Sequence, residues 1–217
     1  MNKLTYQLKW LSKGEPTTLS YKGKEFRSGI SKDQVDFIEV TRKGVYGDDV
    51  QNHEYHGGTE RVLCVYPFEH YTYWENIYES TLPKAAFGEN LTVTGMKEID
   101  ICIGDIFQIG DTMLQVSQGR FPCSTINKYT KINTLLNNIV KYGYTGYFFR
   151  VLEEGIIRSD SKIKLVEKHY KGISVATIHH TYFHNRQDFS QIDEILSLEE
   201  LSTEWIERFE KLDRKQT

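Results

Sequence analysis

The residue in this chain best suited to chemistry is a cysteine, Cys123, within VSQGRFPCSTI (residues 116–126). Arg120 lies three residues before it, and a fixed positive charge lowers the pKa of a nearby thiol. The resulting thiolate is both a nucleophile and a ligand for soft metals. Pro122 restricts the backbone before the cysteine, and Gly119 allows the chain to turn. The pattern makes Cys123 a candidate functional residue, and the alternative is that it is merely buried, as free cysteines often are.

The other two cysteines suggest no chemistry. Cys64 lies in RVLCVY and Cys102 in IDICIGD, apolar runs that predict strands. Free cysteines in such runs are usually buried packing residues. Three cysteines without paired spacing favour a reduced, cytoplasmic protein over a disulfide-linked one.

A second candidate is the segment HEYHGGTER, in which His53 and His56 are followed by Gly57 and Gly58. The two glycines would let the backbone approach a ligand and present N–H groups to an anion, although a plain tight turn explains them equally well. Together with Cys123, the histidines could form a zinc site, but zinc sites usually have more tightly grouped ligands.

A third candidate is FGENLTVTG, where Glu89 and Asn90 precede an alternating strand. An asparagine side chain offers two donors and an acceptor to the edge of a heterocycle such as a pterin, but an ordinary loop is the alternative. His179 and His180 in the C-terminal part are expected on a solvated helix face. No nucleophile elbow, phosphate-binding loop or dinucleotide fingerprint is present in the sequence.

The overall charge excludes some partners. Lys and Arg number 27 against 30 Asp and Glu, for a net charge of -3. This balance predicts no general attraction to nucleic acid or to an anionic membrane. No stretch is apolar enough for a membrane span, and the start does not resemble a signal peptide.

Short alternating segments predict a mainly β protein. KLTYQLKWL (residues 3–11) and TTLSYK (17–22) are expected to pair as an opening hairpin. The clearest β pattern is residues 99–118, with Ile99, Ile101 and Ile103 alternating and a hairpin turn at Gly110-Asp111. Helices are predicted at 67–79 and within 132–143. Many short strands with only these inserted helices favour a β-barrel over a doubly wound sheet, over residues 1–168.

The C-terminal part, residues 169–217, predicts a separate unit of three helices. Ser190 and Ser197 each begin a capping-box pattern. An apolar stripe follows at helical spacing and is expected to dock on the barrel or on a second subunit, so that a homodimer is possible. The stripe consists of Leu198, Leu201, Trp205, Phe209 and Leu212.

Several of these motifs, taken in order, resemble the MOSC domain, named for the C-terminal domain of molybdenum cofactor sulfurase. The matching segments are GVYGDD, HGGTERVLCVYPFEHYTYWE, FGENLTVTG, IDICIGDIFQIGDTMLQVSQGRFPC and GYTGYFFRVLEEG. The chain looks most like the bacterial stand-alone subgroup that has a three-helix C-terminal extension. The subgroup often has Pro where Gly119 stands, so we expect a less rigid cysteine loop here.

The resemblance implies a barrel-like fold that binds the molybdenum cofactor. The family's motif cysteine falls on Cys123, which would ligate molybdenum or carry sulfur as a persulfide. Arg120 would keep the thiol ionised and could meet the cofactor phosphate. The remaining residues expected at the site, as contacts to cofactor or substrate, are Asp48, His56, Gly57, Gly58, Arg61, Glu89, Asn90 and Ser117.

The subgroup is linked to resistance to N-hydroxylaminopurine, which implies reduction of N-hydroxylated purine base analogues and related small molecules. A separate reductase protein would then supply electrons, because the sequence has no flavin or iron–sulfur motif. No pyridoxal-phosphate site is expected. The alternative is a non-catalytic carrier of the cofactor or of sulfur on Cys123.

Overall fold

The computed structural model describes residues 6–53 and 56–213, except for the side chain of Asp213. The strands are β1 (Gln7–Lys13), β2 (Thr17–Tyr21), β3 (Lys24–Ser28), β4 (Asp33–Gln34), β5 (Phe37–Thr41), β6 (Gly44–Val45), β7 (Leu63–Pro67), β8 (Leu91–Thr94), β9 (Ile106–Ile109), β10 (Thr112–Gly119), β11 (Tyr147–Glu153), β12 (Gly155–Arg158) and β13 (Ile163–Glu167). The helices are α1 (Phe68–Tyr78), α2 (Thr125–Thr130), α3 (Leu135–Tyr142), α4 (Val175–His184), α5 (Phe189–Leu196) and α6 (Thr203–Asp213).

A curled eight-stranded sheet forms the body of the molecule, in the order β13-β9-β10-β11-β7-β8-β1-β4. Its pairs are antiparallel except for β7 and β8, which run parallel on either side of the crossover through α1. An isolated bridge joins Gln7 to Lys162, just before β13, so the sheet curls around towards closure. The result is a half-barrel, and the prediction of a mainly β fold with a helical C-terminal part is confirmed.

The concave side of the sheet is filled by apolar side chains from alternate positions of the strands, such as Phe107, Leu114 and Phe149. A second cluster lies outside the barrel, where α1, α2 and α3 pack around Tyr66 and Trp74. These aromatic side chains are fully buried, and the Trp74 indole donates a hydrogen bond to the Tyr66 hydroxyl at 2.9 Å. The second cluster supports the polypeptide that follows Cys123, because Ile126 of α2 belongs to the cluster and α2 begins two residues after the cysteine.

Two strand predictions were wrong in detail. The first strand does not pair with the second: β1 lies between β8 and β4, whereas β2 forms its hairpin with β3 around Lys22 and Gly23, both at positive φ. Turns lie at residues 98–100 and 103–104, and Ile99 is exposed. Cys102 therefore lies between two turns, where it forms one isolated bridge to Ser174, and not in a strand. The hairpin predicted at Gly110-Asp111 is confirmed by the pairing of β9 and β10.

The predicted N-caps of the C-terminal helices were also wrong. Asp188, not Ser190, caps α5, because its carboxylate accepts a hydrogen bond from the Gln191 backbone N–H at 3.1 Å. Ser197 ends α5 and begins no helix. The capping-box pattern at Ser197 falls in a turn that leads to α6.

The apolar stripe of the C-terminal part is buried against the barrel. Its side chains belong to the same core cluster as the strands, with Trp205 and Phe209 completely enclosed. The stripe therefore needs no second subunit to be buried. No helix among the described residues is long and apolar enough to cross a membrane.

Phe209 allows this docking to be tested. Phe209→Ala should lower the free energy of unfolding by about 3–5 kcal/mol, because a fully buried ring is lost from the shared core. The matched control is Glu207→Ala on the exposed side of the same helix, with an expected change within about 0.5 kcal/mol. Both are measured by urea denaturation, and equal effects of the two substitutions would contradict docking.

Candidate functional site

Cys123 lies in the irregular segment that joins the end of β10 to the start of α2. Its side chain is partly exposed, whereas the preceding Pro122 is buried. The Arg120 backbone N–H donates to the Gly146 carbonyl at 3.0 Å, which anchors the segment to the residues before β11. The partly exposed thiol therefore lies on a segment whose backbone is held by a hydrogen bond to Gly146.

Two neighbours favour the ionised form of the Cys123 thiol. A hydrogen bond from the His56 side chain is the largest influence, and it overcomes the opposing effect of burial. Thr125 contributes both its side chain, with Oγ1 at 3.3 Å from Sγ, and its backbone N–H. Together they lower the pKa of Cys123 to about 6. The thiol is thus mostly a thiolate near neutral pH, the form that attacks electrophiles and binds soft metals.

Arg120 does not act as expected. The contacts that lower the pKa of Cys123 are mainly hydrogen bonds from His56 and Thr125, whereas the Arg120 charge acts on the buried Cys64, Glu89 and Tyr66. Its side chain therefore points into the protein beneath the turn. There its Nη1 atom is buried and has no hydrogen-bond partner among the described residues. A buried guanidinium nitrogen without a partner is costly, so this atom is a candidate contact for an anionic ligand.

A polar cluster surrounds Cys64 in the same part of the protein. Burial is the main cause that raises the pKa of Cys64 to about 11, and the charges acting on this thiol are those of Arg120, Glu89, Lys32 and Asp48. The structure therefore brings together several of the predicted site residues around a cysteine that is itself un-ionised. Cys64 is buried, as predicted.

Asp48 and Asn90 are joined directly. The Asn90 side-chain amide donates to the Asp48 carboxylate at 3.0 Å, and its carbonyl accepts from the Cys64 backbone N–H at 3.1 Å. Asp48 also forms an ion pair with Lys32, whose side chain is nearly fully buried. Sequence reasoning missed Lys32, which lies in a loop without a recognisable motif.

Glu89 is enclosed in the protein. Its carboxylate accepts hydrogen bonds from the hydroxyls of Tyr71, at 2.6 Å, and Thr92, at 2.8 Å. The Phe87 backbone N–H lies at 3.2 Å, and burial raises the pKa of Glu89 against these bonds. The side chain therefore fixes the loop before β8, and contact with a cofactor or substrate stays a prediction.

The His56-Gly57-Gly58 turn lies beside the thiol because Arg61 secures it. Both glycines have positive φ, and nothing occupies the space beside the Gly58 Cα. The Arg61 guanidinium donates to the Gly57 carbonyl at 2.7 Å and forms an ion pair with Glu204 of α6 at 2.8 Å. Arg61 therefore links the turn that carries His56 to the C-terminal helices.

Ser117 has a similar supporting role. Its hydroxyl donates to the Glu60 carbonyl at 2.5 Å, and its own carbonyl accepts from the Ser202 backbone N–H at 3.0 Å. The side chain is fully buried. It ties β10 to the segment after the glycine turn and to the start of α6.

The C-terminal helices also hold the Cys123 turn directly. The Trp205 indole N–H donates to the Gly119 carbonyl at 2.7 Å. The His179 ring lies 3.1 Å from the Arg120 carbonyl, and its other nitrogen is 2.8 Å from the Thr145 hydroxyl. His179 is buried, so the expectation of a solvated position was wrong, whereas His180 is exposed as expected.

Gly119 is constrained where we expected flexibility. It is the buried last residue of β10, and a Cβ added there would lie 2.3 Å from the His179 ring. Glycine is needed because the imidazole packs directly on the backbone. Glycine at this position therefore makes room for the His179 ring. The expected loosening of the cysteine loop is not seen, because Gly119 is part of β10.

The geometry gives no support to the zinc hypothesis. Among the residues that the structure describes, no three His, Cys, Asp or Glu side chains are grouped to hold a metal ion. His53 is largely exposed and lies 3.4 Å from Asp49. A metal here would need most of its ligands from another molecule, with Cys123 as the protein's contribution.

Two family models match different parts of the chain. The MOSC domain model matches residues 52–164, and the model of the YiiM-like three-alpha-helix domain matches residues 173–212. The chain belongs to the MOSC domain family, which is associated with molybdenum cofactor binding, and it has the helical C-terminal domain of the YiiM type.

Individual relatives extend over nearly the whole chain. The Bacillus subtilis protein YflK, described as uncharacterized, is 38% identical over 97% of this chain and 96% of its own. The crystal structure of YiiM from Geobacillus stearothermophilus, 33% identical, superimposes with a TM-score of 0.80 over 95% of this chain and 98% of that one. A Gibberella moniliformis protein named "Reductase" is 39% identical over 72% of this chain, which is 28% of its own length.

The thiol environment can be tested by alkylation. The rate of iodoacetamide modification of Cys123 should rise with a midpoint at about pH 6, and His56→Ala should shift this midpoint upward because the largest stabilising contact is removed. Mass spectrometry assigns the modified residue, and the buried Cys64 is an internal control that should stay unmodified until the protein unfolds. An unchanged midpoint in His56→Ala would exclude His56 as the cause.

His179 predicts a pH dependence of stability. Burial lowers the pKa of His179 to about 4, so the unfolded chain takes up a proton at a higher pH than the folded protein does. The stability contributed by neutral His179 is therefore complete above about pH 6.5 and is lost as the pH falls towards 4. His179→Gln should flatten this part of the curve of unfolding free energy against pH, although it lowers stability at neutral pH. The exposed His180→Gln is the control and should leave the slope unchanged.

Proposed function

We propose that this protein binds the molybdenum cofactor with Cys123 as a metal ligand and reduces N-hydroxylated compounds. The observation that carries the proposal is the partly exposed Cys123 thiol, with its pKa lowered to about 6. A lone soft thiolate suits a metal that arrives with other sulfur ligands already attached, as it does on a dithiolene.

The residues present fit such a group. The described residues contain no complete ligand set for a metal, but they offer one thiolate and one buried guanidinium nitrogen without a partner. Arg120 would meet the cofactor phosphate through that nitrogen, since guanidinium groups bind phosphate oxygens in pairs. Gly58, two residues after His56, leaves open space beside the backbone.

The remaining predicted residues would act by holding this arrangement in place. His56 and Thr125 keep Cys123 ionised and oriented. Arg61 and Ser117 fix the glycine turn and β10, while Asp48 and Asn90 form one wall of the polar cluster together with Lys32. Glu89 would act indirectly, by fixing the loop before β8 through its hydrogen bond with the Phe87 backbone N–H.

The proposed reaction converts an N-hydroxylamine, two electrons and two protons into an amine and water. When bound, the molybdenum cofactor would supply a metal centre that exchanges electrons in pairs and accepts oxygen. N-hydroxylated purine bases such as N-hydroxylaminopurine are the proposed substrates. Electrons would come from a separate reductase, and the fungal protein named "Reductase", in which a similar region is 28% of the length, is consistent with such a partnership.

A persulfide carrier is the alternative, because a partly exposed thiolate can also attack the outer sulfur of a donor protein's persulfide, take over that sulfur and release the donor's thiolate. Metal analysis and intact mass spectrometry of protein from a molybdenum-cofactor-producing host distinguish the two functions. Stoichiometric molybdenum with an unmodified Cys123 supports the enzyme, whereas a persulfide without molybdenum supports the carrier. Loaded protein that cannot reduce N-hydroxylaminopurine with a chemical reductant would refute the proposed reaction.

The three cysteines provide a matched series. Cys123→Ser should abolish the reduction and leave the fold nearly unchanged, because a hydroxyl is similar in size but holds its proton far more tightly. Cys64→Ser and Cys102→Ser should retain activity per folded molecule but lose about 1–3 kcal/mol of stability through a poorly paired buried hydroxyl. Arg120→Ala should reduce cofactor retention without removing the ligand. Activity per folded protein is the measurement, and equal losses in all three serine variants would contradict the role of Cys123.

A further inference from the structure

Charge is distributed very unevenly along this chain. Residues 112–152 contain no Asp or Glu at all, so all 30 acidic residues lie elsewhere. The same stretch has five basic residues and includes Cys123 and the whole of α2 and α3. Arg150 is paired with Glu60 and Arg120 points into the protein, so the exposed charges of this stretch are those of its three lysines, all positive.

Folding adds further positive charge beside this region. The β2–β3 hairpin packs against α2, with the Lys128 ammonium 5.4 Å from the centre of the Phe26 ring. At the far end of the contact, the Tyr21 hydroxyl donates to the Asn133 side chain. The hairpin itself has three basic residues and one acidic residue, Glu25.

The hairpin and helix together form what we call the basic face. Its side chains are all exposed, and none has an ion-pair partner among the described residues. The basic face consists of Lys22, Lys24, Arg27, Lys128 and Lys131. Unpaired charges of one sign on adjacent elements produce a field that extends into solvent and attracts a partner of opposite sign.

The basic face lies beside the thiol. Lys128 is five residues after Cys123 and lies in α2, the helix that begins two residues after the cysteine. Any macromolecule held on this face would therefore have part of its surface close to the Cys123 turn.

We propose that the basic face is the docking surface for an acidic electron-transfer protein. This inference depends on the proposed reduction, which needs two electrons that the described residues have no means to supply. Electron-transfer partners form small, transient interfaces, and charge complementarity brings such partners together quickly in the right orientation. Nucleic acid is the competing occupant for a basic surface, and the experiment includes it.

Reversal of charge on α2 tests the proposal. The variant is Lys128→Glu with Lys131→Glu, and the matched control is Lys162→Glu with Lys164→Glu, two exposed lysines beside and within the distant edge strand β13. Turnover of N-hydroxylaminopurine by loaded protein is driven either by reduced flavodoxin, an acidic flavin protein, or by reduced methyl viologen. The α2 variant should slow flavodoxin-driven turnover by about tenfold or more at low salt, with little difference at high salt. Viologen-driven turnover and the control variant should be unaffected.

Each other outcome is decisive. Wild-type protein that turns over with viologen but not with flavodoxin, or equal flavodoxin rates in the α2 and control variants, would overturn the docking surface. Binding of a duplex oligonucleotide that the α2 variant abolishes, with flavodoxin rates unchanged, would assign the face to nucleic acid instead. If viologen drives no turnover, the proposed reaction fails. Salt-sensitive binding of flavodoxin, followed by titration calorimetry, then decides the docking surface separately.

Discussion

The structure depends on two hydrogen bonds that the C-terminal helices make to the end of β10. The Trp205 indole and the His179 imidazole bind the carbonyls of Gly119 and Arg120, the last residues before the Cys123 turn. Backbone carbonyls at the end of a strand need partners when they are buried, and here the partners come from a separate helical unit. The position of the reactive thiol is therefore set as much by the helices as by the barrel.

The opposite side of the site is held in the same way. Glu204 of α6 binds Arg61, which in turn binds the turn containing His56, and the same carboxylate accepts hydrogen bonds from Gln118 and Arg208. Although burial opposes ionisation, these partners lower the pKa of Glu204 and keep it charged. His56 and Cys123 belong to segments distant in sequence, and α6 contacts the supports of both. This explains why a pair with no local sequence motif can have a defined geometry.

The sequence was informative where chemistry is local and uninformative where it depends on packing. Period-two alternation located most strands, and the Gly-Arg-Phe-Pro-Cys segment singled out Cys123, the cysteine that is partly exposed and has a lowered pKa. Pairing of β1 with β8 could not be foreseen, since strand partners distant in sequence leave no local signal. His179 was misplaced because a histidine on a helix can face water or the core. We expected Arg120 to lower the pKa of Cys123, but His56 does so. The sequence does not show which way a side chain points from a turn, and the Arg120 side chain points towards Cys64.

The link through Arg61 has a thermodynamic consequence. The groups that hold the C-terminal helices on the barrel also order the His56 turn and the Cys123 turn. Docking of the helices and ordering of the turns are therefore coupled equilibria. Coupling of this kind is reciprocal: a ligand that binds better to the ordered turns must strengthen helix docking by the same free energy. A ligand bound at the site would therefore make the C-terminal helices harder to detach from the barrel, even where the ligand does not contact them.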